Sequence, residues 1–376
     1  MKILMVSIPS LHFFRWTEQL QDSGHEVYWF DISGMSQTVE RINWVQQKVN
    51  WKLKRNYAGR TFIKKRFPRL YKFLQKHNEY DTAKKFEEYL LEVQPDVVHS
   101  FALHLACSPI AEVMKRSTSV KWIYSSWGSD LYARKNTLLG KRVISDTLPF
   151  IDYIFTDCKR DYEIAKEFGF RGKLLGIFPG GGGFNLKLIQ TLSTPHNQRK
   201  LIVVKGYQDV HGDCISVLEI LALMKKQLAG YEIVVFGAND EVIKHVNNEK
   251  KYTGLNLLIK QRLPHKNVLE LMGKAKIYIG YSQSDGMPNT LLEAICCGCL
   301  PLQSNPGGAT SEIITDGFNG LLLDKRNMQL QILKALKKEN YCEGLKYNKE
   351  ILSPLLSFDF LKNKVLKAYN EIKIFA

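Results

Sequence analysis

Two carboxylates, Asp285 and Glu293, bracket the stretch of this chain best suited to chemistry, Ile277-Tyr278-Ile279-Gly280-Tyr281-Ser282-Gln283-Ser284-Asp285-Gly286-Met287-Pro288-Asn289-Thr290-Leu291-Leu292-Glu293-Ala294. An apolar run with strand character ends in a polar loop containing Gly and Pro, and that loop opens into a helix at about Thr290. In parallel α/β sheets ligands bind beyond the carboxyl ends of the strands, and a helix N-terminus presents unpaired N–H groups and partial positive charge to phosphate. Gly286, Met287, Pro288, Asn289, Thr290 and Leu291 therefore read as an anion site. Carboxylates beside that pole would repel phosphate unless they hold hydroxyls of the same ligand. A nucleotide-sugar has both parts, with Glu293 accepting from the ribose diol and Asp285 from the hexose. Thr290-Leu291-Leu292-Glu293 also fits a capping box, in which the Glu closes back on the start of its own helix. Residue types alone leave both roles of Glu293 open.

The elements that must position these groups follow an alternating pattern. Short apolar or β-branched runs alternate with helical-period stretches, the signature of parallel sheets with crossover helices. A first series of strands is predicted over 2–7, 26–30, 97–100, 121–125 and 153–156, with a long helical insertion at about 36–93. A second is predicted over 201–205, 232–236, 257–259, 277–281, 300–303 and 320–323. Between them the glycine run Phe178 to Asn185 and the polar stretch through Asn197 read as a linker. Apolar residues from Phe358 onward recur at helical spacing and predict a closing helix over 358–376, packing back on the N-terminal domain. The first strand is not followed by G-x-G-x-x-G, which speaks against a dinucleotide oxidoreductase.

From Asp285 to Glu293, then Gly298, Pro301, Gly307-Gly308, Glu312-Ile313-Ile314, Asp316-Gly317 and Asn319-Gly320, the chain resembles the C-terminal signature of glycosyltransferase family 4. The resemblance covers about fifty residues in order. Lys205 and His211 stand where that family places an Arg and Lys pair on the donor phosphates. Asp96-Val97-Val98-His99 and Trp127-Gly128-Ser129-Asp130 are weaker echoes in the first half, and His99 alone reads as a satisfied core residue.

The resemblance implies an α/β protein of GT-B fold, two Rossmann-like domains facing each other across a cleft. Residues 1–185 would form the acceptor domain and 200–350 the donor domain. It further implies a retaining, metal-independent hexosyltransferase that moves a sugar from a nucleotide-sugar to a glycan or lipid-linked glycan acceptor, in capsule, O-antigen or other surface-polysaccharide synthesis. Lys205, Asp285 and Asp130 would be the catalytic residues, Asp130 being a hydroxyl contact, a proton acceptor or simply a helix cap. Lys205, His211, Asp285 to Leu291 and Glu293 would hold the donor. No D-x-D pair is present to carry a cation on the diphosphate, so no metal and no cofactor are expected. The alternative is a catalytically inactive, membrane-docked protein of the same fold.

Composition narrows the partners. The formal charge of +16 points to anionic ones. Eleven Lys and Arg fall between Lys48 and Lys76 without one acidic residue, interleaved with Trp51, Tyr57, Phe62, Phe67, Tyr71 and Phe73. That mixture suits an anionic membrane surface, with rings inserted and cations at the headgroups. A solvated helical face whose aromatics pack inward is the other reading. Nucleic acid is not expected, because no helix-turn-helix, zinc-finger or RNP pattern accompanies the charge. Seven cysteines without framework spacing indicate a reducing compartment, and Cys296, Cys297 and Cys299 lack the second pair a zinc site needs. The expected place is the cytoplasm, peripherally at the inner face of the plasma membrane.

Overall fold

The structure, a computed structural model, describes residues 1–179, 181–337 and 341–373, so Gly180 of the glycine run and the last three residues of the expected closing helix lie outside it. The chain divides into two compact units. The first comprises Met1–Thr156, Tyr162–Gly176 and Val365–Ala376, and the second Asp157–Asp161 and Ile177–Lys364. Each is a Rossmann-like α/β unit built on one sheet.

In the first unit, strands β1 (Lys2–Ser7), β2 (Glu26–Asp31), β3 (Gln46–Lys48), β4 (Val97–Phe101), β5 (Lys121–Ser125), β6 (Tyr153–Thr156) and β7 (Lys173–Ile177) lie in the order β3-β2-β1-β4-β5-β6-β7. The described registers are parallel. A strand covered on both faces carries no polar alternation, and accordingly Ile3 to Val6 and all of β4 are buried. Two strands went unanticipated. Gln46-Gln47-Lys48 is a polar edge strand inside the stretch expected to be helical, and β7 contains Gly176 and is only partly buried. Neither carries the apolar run that marks a covered strand.

Helix Phe358–Asn370 supplies Tyr369, whose hydroxyl meets His99 Nδ1 at 2.5 Å and accepts from Trp16 Nε1 at 3.2 Å. Ser125 Oγ lies 2.8 Å from the other nitrogen of His99. His99 is fully buried and satisfied on both nitrogens, and burial holds its basicity well below the ordinary value of 6.5.

The basic segment is a pair of helices, Arg60–Arg66 and Pro68–Asn78, in which Gln75 is the one buried residue. Its neck is stapled where Leu53 bridges Glu79, Lys54 N–H donates to the Asn78 carbonyl at 2.8 Å and the Asn78 amide donates to the Arg55 carbonyl at 2.8 Å. The aromatics divide. Trp51 packs inward, stacked on Phe30, whereas Phe62, Phe67 and Phe73 are exposed by 64%, 50% and 63%. Among the described residues no helix is long and apolar enough to cross a membrane.

In the second unit β8 (Leu201–Lys205), β9 (Glu232–Phe236), β10 (Leu257–Ile259), β11 (Ala275–Gly280), β12 (Leu300–Ser304) and β13 (Leu321–Leu323) lie in the order β10-β9-β8-β11-β12-β13. Period-two alternation sends Ile202, Val204, Ile277 and Ile279 to one apolar cluster and Leu201, Val203, Val234 and Tyr278 to the other. The expected linker is not loose coil. Helix Leu186–Leu192 occupies it, capped by Asn185 accepting from Leu188 N–H at 3.0 Å, and Thr194 N–H donates to the Gly273 carbonyl at 3.0 Å. Apolar Leu186, Ile189 and Leu192 behind an Asn cap favour a helix over a flexible tether.

Candidate functional site

In the second sheet the strand order reverses between β8 and β11, and crevices for ligands open beyond the carboxyl ends at such a point. Lys205 ends β8 and Gly280 ends β11. A Cβ on Gly280 would lie 2.1 Å from Gln303 Oε1 and 2.5 Å from the Tyr278 hydroxyl, so a side chain here would have to displace both groups. The following loops are sewn together. Gly212 bridges Ser282, Gln283 N–H donates to the His211 carbonyl at 2.6 Å, and Asp213 N–H donates to the Tyr281 carbonyl at 3.0 Å. Lys205 Nζ stands 3.6 Å from Asp285 Oδ2 and 5.0 Å from the Tyr207 ring centroid. The His211 ring is exposed, while Asp209 accepts the backbone N–H of both His211 and Gly212. Burial opposes the charge of Asp209, but those two donors prevail and hold its carboxyl below the usual range.

The helix after β11 spans Asn289–Cys296 with Pro288 in the cap position and no side-chain cap. Thr290 instead bonds the Tyr278 hydroxyl at 2.9 Å, and Glu293 falls at the fifth helical residue, so the capping box does not form. Glu293, 4% exposed, holds its Oε1 2.7 Å from His265 Nε2. His265 begins helix His265–Lys274 directly behind Pro264. Gly286 N–H donates to its neighbour Asp285 at 3.0 Å and Met287 N–H to Asp157 Oδ2 at 3.2 Å. The structure thus brings Lys205, the backbone of His211 and the loop that starts the 285–293 stretch together beyond the carboxyl ends of β8 and β11 in one unit.

His265 and Asp157 are the residues that sequence reasoning missed. Leu263-Pro264-His265, a Pro opening a helix just past a strand, was the available signal for the first. Nothing in Thr156-Asp157-Cys158 foretells a bond to Met287.

Asp130 belongs to the first unit. Its side chain is 6% exposed and accepts from the Tyr124 hydroxyl at 2.6 Å and from Leu103 N–H at 2.5 Å, with His104 Nδ1 3.4 Å away. It caps the turn after β4 rather than the helix that follows its own strand. The later motif residues hold structure. Glu312 accepts the N–H groups of Lys159 and Arg160 at 2.6 and 2.9 Å, and buried Asn319 bonds Thr315 N–H, the Ile313 carbonyl and Asn348. Cys297 and Cys299 are buried, and burial raises both thiols, Cys299 to about 12. Asp157, Cys158 and Asp161 place ligand-type atoms within 4.8 Å of one another. Arg160 sits on that group, its Nη2 2.8 Å from Asp161 Oδ1, so a guanidinium already supplies the positive charge. These residues do not make a good metal cage.

Residues 187–351 match the family described as glycosyl transferases group 1. An uncharacterized glycosyltransferase of Methanocaldococcus jannaschii is 23% identical over 297 residues, 74% of this chain and 76% of that protein. In fold the chain is similar to sucrose-phosphate synthase from Thermosynechococcus elongatus, with a TM-score of 0.71 at 14% identity over 98% of each chain. Anabaena HepE, solved with UDP and glucose, superposes with a TM-score of 0.69 at 13% identity over 99% of this chain and all of its own.

Proposed function

We propose that the chain is a retaining, metal-independent hexosyltransferase that takes its sugar from a nucleotide-sugar, a UDP-sugar by analogy with the ligands of HepE. The observation that supports this most is the placing of Lys205, Asp285 and Glu293 at the switch point of the second sheet, Lys205 Nζ being 3.6 Å from Asp285. Glu293 accepts from the ribose diol, and Asp285 from hydroxyls of the sugar. Lys205, with His211 and the uncapped start of helix Asn289–Cys296, offsets charge on the departing diphosphate. The bond from the anomeric carbon to the diphosphate oxygen breaks, its electron pair leaving with the diphosphate. The acceptor oxygen bonds to the same face and its proton passes to the leaving group. Asp130 is given no part, since donors within its own unit already engage its carboxylate.

A glycan or lipid-linked glycan acceptor in surface-polysaccharide synthesis follows from the family resemblance. A lipid-linked acceptor would place the protein on the cytoplasmic face of the plasma membrane. The test is turnover of a nucleotide-sugar panel, with NMR of the anomeric product. Retained configuration and activity unchanged by EDTA are expected, and rescue by magnesium after EDTA would count against the metal-free reading. Lys205→Ala should lower turnover by about 10²–10³, as removal of one preorganised donor does. Nucleotide binding without any turnover or donor hydrolysis would favour the inactive binding protein.

A further inference from the structure

The helix pair Arg60–Arg66 and Pro68–Asn78 has a surface that a water-facing element has no use for. Phe62 and Phe73 are exposed by 64% and 63%, Phe67 and Leu70 by 50% and 49%, and the Phe62 and Phe67 rings meet edge to face at 6.4 Å. At roughly 100° per residue, Leu70 and Phe73 lie about 60° apart on the second helix, with Phe67 at its cap. Arg69, Lys72 and Lys76 flank Phe73 on its far side. Among the described residues none of the Lys and Arg from Lys54 to Lys76 makes an ion pair, and the segment contains no carboxylate to make one with. Its neck is fixed by the bonds of Lys54 and Arg55 to Asn78, so the two ends of the pair are tied together.

We infer that this helix pair is a monotopic anchor whose occupant is an anionic phospholipid bilayer. Phe62, Phe67, Leu70 and Phe73 enter the headgroup and acyl boundary, and the flanking cations sit at the phosphates. Charge complementarity selects the lipid, because unpaired cations near an anionic surface each favour binding by about fivefold and lose that at high salt. Exposed rings in the same element argue against a purely electrostatic patch. The inference stands on this surface and is independent of the donor site.

The full chain should float with vesicles of phosphatidylcholine and phosphatidylglycerol, far less with phosphatidylcholine alone, and release as salt rises from 0.1 to 0.5 M on the order of a Debye-length change. Phe62→Ser with Phe73→Ser should cut binding at least tenfold at constant charge. Lys64→Gln with Lys65→Gln and Arg69→Gln should abolish the preference for the anionic lipid. All five side chains are exposed, so melting temperatures should match the parent and exclude misfolding. Equal flotation on both lipids, unchanged binding by the serine variant, or binding of polyuridine without vesicles would each overturn the assignment.

Discussion

Glu293 shows how a side chain can be legible in the sequence while its environment is not. Its spacing from Asp285 marked it as a ligand for hydroxyls, and the same four residues also spelled a cap. The cap fails because Pro288 takes the position that Thr290 would need, and Thr290 turns to Tyr278 instead. One partner of Glu293 is His265, distant in sequence and invisible to local pattern. In the proposed role, Glu293→Gln should weaken nucleoside diphosphate binding by about 1.5–3 kcal/mol, the worth of hydrogen bonds to a charged group. The melting temperature should move little, since an amide oxygen still accepts from His265. His265→Ala should weaken the same binding in the parent but much less in the Glu293→Gln background, because its effect passes through the carboxylate. Calorimetry of the two single variants and the double variant decides it. Additive losses would mean that His265 acts elsewhere.

Among the elements, covered parallel strands were the easiest to read, because burial on both faces removes polar residues from the run. Edge strand Gln46–Lys48 escaped for the opposite reason, and helix Leu186–Leu192 was hidden by the glycines before it. His99, on a covered strand, makes a pH experiment possible. Its folded-state basicity is depressed by burial, so above its unfolded value near 6.5 both states are neutral and it contributes no pH dependence. As pH falls below that value the unfolded chain binds a proton that the folded chain resists, and stability is lost. His99→Gln keeps hydrogen-bonding capacity toward Ser125 and Tyr369 and removes the titration, so its melting temperature should fall less below that pH than the parent's. Parallel curves would show that His99 is not the acid-sensitive group.

At the scale of the whole molecule, the compact units are not continuous in the chain. Asp157–Asp161 belongs with the second unit, where Asp157 accepts from Met287 N–H, and Val365 onward belongs with the first. Tyr369 is wholly buried there and holds both Trp16 and His99. Taking it away would open a large cavity and leave two buried polar groups without their bonds, a loss of about 3–5 kcal/mol for the ring alone. Typical domain stability is about 5–15 kcal/mol, so a fragment ending at residue 176 should be marginal. Joining residues 358–373 to that fragment through a Gly/Ser tether long enough not to constrain it should restore a cooperative thermal transition. The tethered Tyr369→Ala version controls for mere chain length and should melt early or without cooperativity. If the bare fragment melts as sharply and as high as the tethered one, the C-terminal segment is an accessory of the first unit and its core closes without Tyr369.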